Sequence, residues 1–87
     1  MIDENFKVMR FIAEYCEETE TLITEYDLAA FNLEKFQAEF NELNREDPMF
    51  GCYPIQEKNI PFLKKYLDND IVWDFNQKSY FVEASSI

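Results

Sequence analysis

The sequence predicts an α+β fold, with three helices followed by a C-terminal β-hairpin in a single domain spanning 1–87. Apolar residues recur at helical spacing in the first half of the chain, and two β-rich runs flank a polar turn near its end. With 47% hydrophobic residues, 17% aromatic residues and one glycine, the chain has the composition of a folded globule. The acidic helical part covers about 3–47, and the helix with the hairpin covers about 55–84.

The first helix is predicted to begin at Asp3, a suitable N-cap, and to end around residues 17–21. Apolar residues between these two positions recur at steps near 3.6. Acidic residues crowd the segment after Cys16, where the dipole of a helix C-terminus disfavours them, so the helix is placed to end there. Residues 21–24 are mostly β-branched and fit a brief strand as well as they fit continued helix.

The second helix is predicted to run from Asp27 to about Arg45, with Asn32 as an alternative N-cap. The third begins at Asn59, with Pro61 in its first turn, where the missing N–H of proline costs nothing. Its apolar stripe consists of Phe62, Leu63, Tyr66 and Leu67.

The hairpin is predicted from residues 71–75 and 80–84, which are rich in β-branched and aromatic side chains. Folded about the polar turn between them, Phe75 faces Tyr80, and the apolar residues of both strands share one face. Register and hydrophobicity therefore agree.

A third helix that runs directly into a hairpin resembles the element order of winged-helix domains, over most of the chain. The resemblance implies an adaptor or transcription-related interaction domain that docks on its partner through the third helix and the hairpin. DNA-binding members carry basic side chains on these elements. The lysines available here are Lys58, Lys64, Lys65 and Lys78.

The charge of the chain is concentrated in its first half. The net charge is −10; residues 1–47 hold 13 acids and 4 bases, whereas residues 48–87 hold 5 acids and 4 bases. Direct binding to nucleic acid is disfavoured, because such proteins present clustered Lys and Arg to phosphates. Rows of carboxylates instead suit a partner with a basic surface.

We therefore hypothesise a small acidic inhibitor that imitates nucleic acid and blocks a nuclease, a CRISPR effector or a toxin, as anti-CRISPR and immunity proteins do. A solvated, solubilising face is the alternative explanation of the charge. The acidic residues predicted to bind the partner are Glu14, Glu17, Glu18, Glu20, Glu25 and Asp27.

Three aromatic residues are candidate anchors of a partner site at the second face of the hairpin, which leaves open whether the acidic face or the hairpin binds the partner: Phe50, Tyr53 and Phe81. Burial in the domain's own core is the alternative for each of them. A homodimer, in which the first helix pairs with its mate, is a further hypothesis.

Enzymatic function is not expected, because the chain has no histidine and no recognisable nucleophile or phosphate-binding motif. No cofactor and no metal site are predicted. No apolar run approaches the ~20 residues of a membrane span. Together with two cysteines, Cys16 and Cys52, expected to be reduced and mostly buried, this predicts a cytoplasmic protein.

Overall fold

The computed structural model describes residues 2–87 and shows a two-layer α+β fold built on one antiparallel, five-stranded sheet. The strands are β1 (Ile2–Asp3), β2 (Val8–Cys16), β3 (Leu22–Asp27), β4 (Tyr53–Pro54) and β5 (Lys78–Ser86). Strand β2 is central: β5 pairs with one of its edges over nine residue pairs, and β1 and β3 share the other edge. The short β4 pairs with the far edge of β5.

Two short helices form the second layer, α1 (Leu33–Glu39) and α2 (Ile60–Leu63). Asn32 caps α1, since its side-chain oxygen accepts a hydrogen bond from the backbone N–H of Lys35 at 3.1 Å. Asn41, with φ of 60°, ends α1, and the N–H of Glu42 donates to the carbonyl of Gln37 at 2.8 Å. This is a Schellman ending. Helix α2 lies between 3-10 turns at Glu57–Asn59 and Lys64–Tyr66.

The hydrophobic core lies between the sheet and the helices. Ile12 of β2 packs there with Tyr80 and Val82 of β5 and with Phe36 of α1. Side chains alternate along a strand, so these positions define one side of the sheet, which we call the covered face. The open face is the opposite side, which carries Phe11, Ala13, Tyr15, Phe81 and Glu83.

The prediction of three helices followed by a C-terminal hairpin is wrong. The predicted first helix, from Asp3 to around residues 17–21, is instead the end of β1, a turn, the central strand β2 and the turn that follows it. Both faces of β2 are buried, with Ile12 and Ala13 each fully inaccessible. A strand buried on both faces shows consecutive apolar residues without alternation, and this pattern also satisfies helical spacing.

The prediction of a C-terminal hairpin is also wrong, although the second of its two strands exists as part of β5. Residues 71–74 are not in a strand; β5 pairs instead with β2 along one edge and, at Phe81 and Val82, with β4 on the other. Phe75 does contact Tyr80, with ring centroids 5.2 Å apart, but as part of an irregular segment. The winged-helix element order is therefore absent, since one hairpin strand and the first helix do not form.

Of the remaining predictions, some are confirmed and others are corrected. Residues 22–24 belong to strand β3, so the extended alternative for this segment is confirmed. The second helix is shorter than the predicted Asp27–Arg45, and the alternative N-cap Asn32 is confirmed. Of the predicted third helix, only the four residues of α2 are α-helical, with Pro61 in the first turn. Asn59 precedes α2 but does not cap it, because its side-chain oxygen accepts a hydrogen bond from the N–H of Gln56 at 2.8 Å instead.

Neither α1 nor α2 has the length to cross a bilayer, and residues 2–87 contain no other helix that is long and apolar enough to do so.

Candidate functional site

A shallow groove of about 360 Å³ lies on the open face, near the turn that joins β2 to β3. The register explains how distant residues meet there, because Tyr15 lies opposite Ser79 and Ala13 lies opposite Phe81. Residues from β2, the turn, the segment before β4 and β5 line the groove: Tyr15, Glu17, Glu20, Cys52, Ser79, Phe81 and Glu83.

Two aromatic rings and one carboxylate form the walls of the groove. The rings of Tyr15 and Phe81 meet edge to face, with centroids 5.6 Å apart and an interplanar angle of 79°. The hydroxyl of Tyr15 donates to Oε2 of Glu83 at 2.7 Å. This hydrogen bond, together with burial and the charge of Glu83, raises the pKa of Tyr15 to about 12. Tyr15 is therefore neutral at physiological pH and holds Glu83 in place.

The thiol of Cys52 also lies in the groove. Burial, followed by the charge of Glu83, raises the pKa of this thiol. A thiol with a raised pKa stays protonated near neutral pH and is a poor nucleophile. Cys16 and Cys52 are not joined in a disulfide; Cys16 is half-buried and Cys52 is exposed, so the prediction that both thiols are mostly buried is wrong.

The rim of the groove is acidic. Glu17 and Glu20 are exposed on the β2–β3 turn, and none of the groove-lining residues is basic. Lys78 begins β5 but points to the covered face, where its Nζ lies 3.4 Å from Oε2 of Glu14. The groove thus combines apolar walls with a negative rim that no described lining residue neutralises.

The structure brings five of the nine predicted site residues to this surface. Glu17, Glu20 and Phe81 line the groove. Glu25 and Asp27 are exposed on β3 opposite Ala13 and Phe11, which places them on the open face beside it. Glu18 is exposed on the same turn but does not line the groove.

Glu14 is buried on the covered face, with 2% of its surface exposed. It accepts a hydrogen bond from the hydroxyl of Tyr26 at 3.0 Å and forms the ion pair with Lys78. Burial and this hydrogen bond raise the pKa of Tyr26 to about 12. Glu14 is part of the interior and is not placed to meet a partner.

Phe50 and Tyr53 lie away from the groove. Phe50 is 47% exposed and meets Phe6 edge to face, with centroids 5.8 Å apart. Tyr53 lies opposite Val82, on the covered face, and its hydroxyl donates to Glu42 at 2.7 Å. The three predicted aromatic anchors therefore do not form one site.

Sequence reasoning missed Tyr15, Glu83 and Cys52. Tyr15 stood in a segment predicted to be helical, where it only widened the apolar face. Reading residues 8–16 as a strand would have placed Tyr15 on one face with Phe11 and Ala13, because side chains two apart share a face. Nothing in the sequence places Cys52 beside Glu83.

Within residues 2–87 the structure contains no group of three or more His, Cys, Asp or Glu side chains that could hold a metal ion.

A family model described as Domain of unknown function (DUF7683) matches residues 9–83, which include most of β2 and most of β5. A comparison with curated proteins found no match.

Proposed function

Because the chain belongs to the DUF7683 family of domains of unknown function, we propose its function from its own surface. The protein binds a partner protein through the acidic groove and turn, and it thereby blocks a basic, nucleic-acid-handling surface of that partner. The role is binding rather than catalysis. The chain has no histidine, and the thiol that lines the groove, Cys52, has a raised pKa. A hydrogen bond with Thr19 lowers the pKa of the other thiol, Cys16, but Cys16 does not line the groove.

One observation carries this proposal: exposed carboxylates surround an aromatic groove that contains no basic side chain. Complementary charge accelerates association with a basic surface, and excess negative charge repels acidic competitors. Aromatic side chains in a partly enclosed depression are typical of the few residues that dominate interface energy. Charge and shape thus favour the same surface.

The partner class follows from the sign and amount of charge. A net charge of −10 on 87 residues favours a strongly basic surface, and the surfaces of nucleases, CRISPR effectors and nuclease toxins are basic because they bind phosphates. Such a partner would release its nucleic acid when this protein occupies the same basic surface.

The alternative docking surfaces are not formed. An adaptor that docks through a third helix and a hairpin needs residues 71–75 to pair with residues 80–84, and they do not. A dimer through the first helix needs a helix where β2 lies.

We also propose a cytoplasmic location. The cysteines, Cys16 and Cys52, are both unbonded, and reducing compartments keep thiols in this state.

The experiment is affinity capture from a lysate of the source cells with three baits. The baits are the natural protein, the variant Glu17→Lys/Glu20→Lys, and a matched control, Asp68→Lys/Asp70→Lys. The control makes the same charge change at exposed acids outside the groove. We expect the natural protein and the control to retain a basic nucleic-acid-binding protein that added DNA or RNA displaces.

The Glu17→Lys/Glu20→Lys bait should lose this protein. Raising the salt from about 0.01 M to about 0.15 M should weaken capture, because the screening length falls from ~30 Å to ~8 Å. The natural protein should also lower the nucleic-acid-handling activity of the purified partner. Equal capture by all three baits, or unchanged partner activity, would overturn the proposal.

A further inference from the structure

This protein already shows how it holds a guanidinium group. Cζ of Arg10 lies 4.2 Å from the ring centroid of Phe31, so the cation is in contact with an aromatic ring. Its Nε donates to Oδ2 of Asp3 at 3.2 Å, and its Nη1 donates to the carbonyl of Met49 at 2.8 Å. An aromatic surface with a carboxylate beside it is an environment that suits arginine, because the guanidinium stacks and forms hydrogen bonds at once.

The groove on the open face presents the same chemical groups without a cation of the chain among its lining residues. The rings of Tyr15 and Phe81 stand at 79° to each other and form two walls. The carboxylate of Glu83 lies beside them and accepts a hydrogen bond from Tyr15 through Oε2. A carboxylate has about four lone-pair sites, so this bond leaves capacity for further donors.

From this correspondence we propose that the groove receives an arginine side chain of the partner protein, an inference that rests on the proposed function. The guanidinium lies against Phe81 and Tyr15 and donates to Glu83. Glu17 and Glu20 at the rim add long-range attraction.

The charges of the groove select this occupant over others. An apolar side chain would cover Glu83 without supplying a cation, and burying a carboxylate that has no counter-charge among the lining residues is costly. Lysine supplies a cation, but its strongly hydrated ammonium neither stacks on a ring nor binds a carboxylate through two parallel bonds. The volume, about 360 Å³, is near the lower end for ligand sites and suits one long side chain.

The test is an NMR titration of the isotope-labelled natural protein with three blocked tripeptides. The probes are acetyl-Gly-Arg-Gly-amide, its lysine counterpart, and its citrulline counterpart, which keeps the shape of arginine without the charge. We expect the arginine peptide to cause saturable shift changes centred on Tyr15, Ser79 and Phe81. The lysine peptide should bind more weakly, and the citrulline peptide should cause no saturable change.

Two variants and a control locate the contact. Phe81→Leu removes the ring but keeps an apolar side chain, and we expect arginine-peptide affinity to fall about 2- to 5-fold. Glu83→Gln removes the charge and should weaken binding at least as much, because it removes a charge-assisted hydrogen bond. Asp68→Asn is the control at an exposed acid outside the groove and should not change the affinity. Amide spectra that retain their dispersion show that each variant is folded.

The inference is overturned if arginine and lysine peptides bind equally, or if the shift changes spread over the exposed acids rather than the groove. It is also overturned if folded Phe81→Leu and Glu83→Gln bind the arginine peptide like the natural protein. Its failure is distinguishable from failure of the proposed function. If the three-bait capture still depends on Glu17 and Glu20, the acidic surface binds a partner without an arginine in the groove.

Discussion

This fold buries a cationic side chain, which requires partners for its charge. Arg10 is 1% exposed, and it lies on the covered face of the central strand. Burial lowers the pKa of its guanidinium, while the hydrogen bond and the charge of Asp3 act in the opposite direction. Arginine nonetheless stays charged in proteins, so the fold depends on the groups that surround this charge.

We predict that Arg10→Met destabilises the protein by about 3–5 kcal/mol, because it leaves the buried carboxylate of Asp3 without its ion-pair partner. The double variant Asp3→Asn/Arg10→Met removes both charges and should recover a large part of that loss. Urea unfolding of the three proteins measures both effects. A loss within about 0.5 kcal/mol for Arg10→Met, as for a surface substitution, would show that this ion pair is not structural.

The hydrogen bond between Tyr15 and Glu83 gives a second prediction, about pH. Tyrosine has a pKa of about 10 in an unfolded chain, and the pKa of Tyr15 in the folded protein is raised to about 12. The pKa is raised on folding, so the stability that this bond contributes is complete below pH ~10. It is lost as pH rises through ~12.

In Glu83→Gln we expect the pKa of Tyr15 to fall towards 10, because the charged acceptor is gone. Tyr26 is the internal control, since its pKa is also about 12 but depends on burial and Glu14. A pH titration of the tyrosine ring resonances follows both groups. An unchanged pKa for Tyr15 would mean that Glu83 does not accept a hydrogen bond from the Tyr15 hydroxyl in solution.

Among the secondary-structure elements, the sequence predicted those boundaries that depend on the type of a nearby residue. Pro61 lies in the first turn of α2, and Asn32 caps α1, so these two boundaries were available from residue type. Asn41 was a usable signal for the end of α1, because asparagine tolerates positive φ. Lys7 also adopts a positive φ of 53°, and no sequence pattern indicates it.

Pairing between distant strands could not be predicted in the same way. Residues 80–84 were correctly predicted to be extended, but their partner was chosen as the nearest β-rich run. The true partner, β2, lies more than sixty residues earlier and carries buried Arg10 and Glu14, which imitate the polar face of a helix. Only the tertiary contacts of these two charges explain why a strand holds them.

This element assignment predicts a pattern of hydrogen exchange. Amides of β2 should exchange most slowly, because this strand is bonded on both edges and buried on both faces. Amides of residues 71–74 should exchange much faster, because no sheet ladder protects them. Slow exchange throughout 71–75 would restore the hairpin and contradict the fold described here.

In the molecule as a whole, the two faces of the sheet have different roles. The covered face holds the core and its ion pairs, and the open face holds the acidic groove. Pairing of β2 with β5 joins the two halves of the chain, so Glu17 and Glu20 line the same groove as Phe81 and Glu83.

Much of this surface was predicted even though the fold was wrong. Glu17, Glu20, Glu25 and Asp27 are exposed in strands and turns as they would be on helices, because ionised side chains avoid burial without partners. Glu14 is the exception, since Tyr26 and Lys78 satisfy its carboxylate inside the fold.

The most direct test of the binding surface is hydrogen–deuterium exchange on the complex with the captured partner, compared with the free protein. We predict slower exchange in residues 15–27 and 79–83, which form the groove, its rim and β3. Helices α1 and α2 should be unchanged. Slowing confined to these helices, or to the exposed ring pair of Phe6 and Phe50, would contradict this prediction and place the partner on another surface.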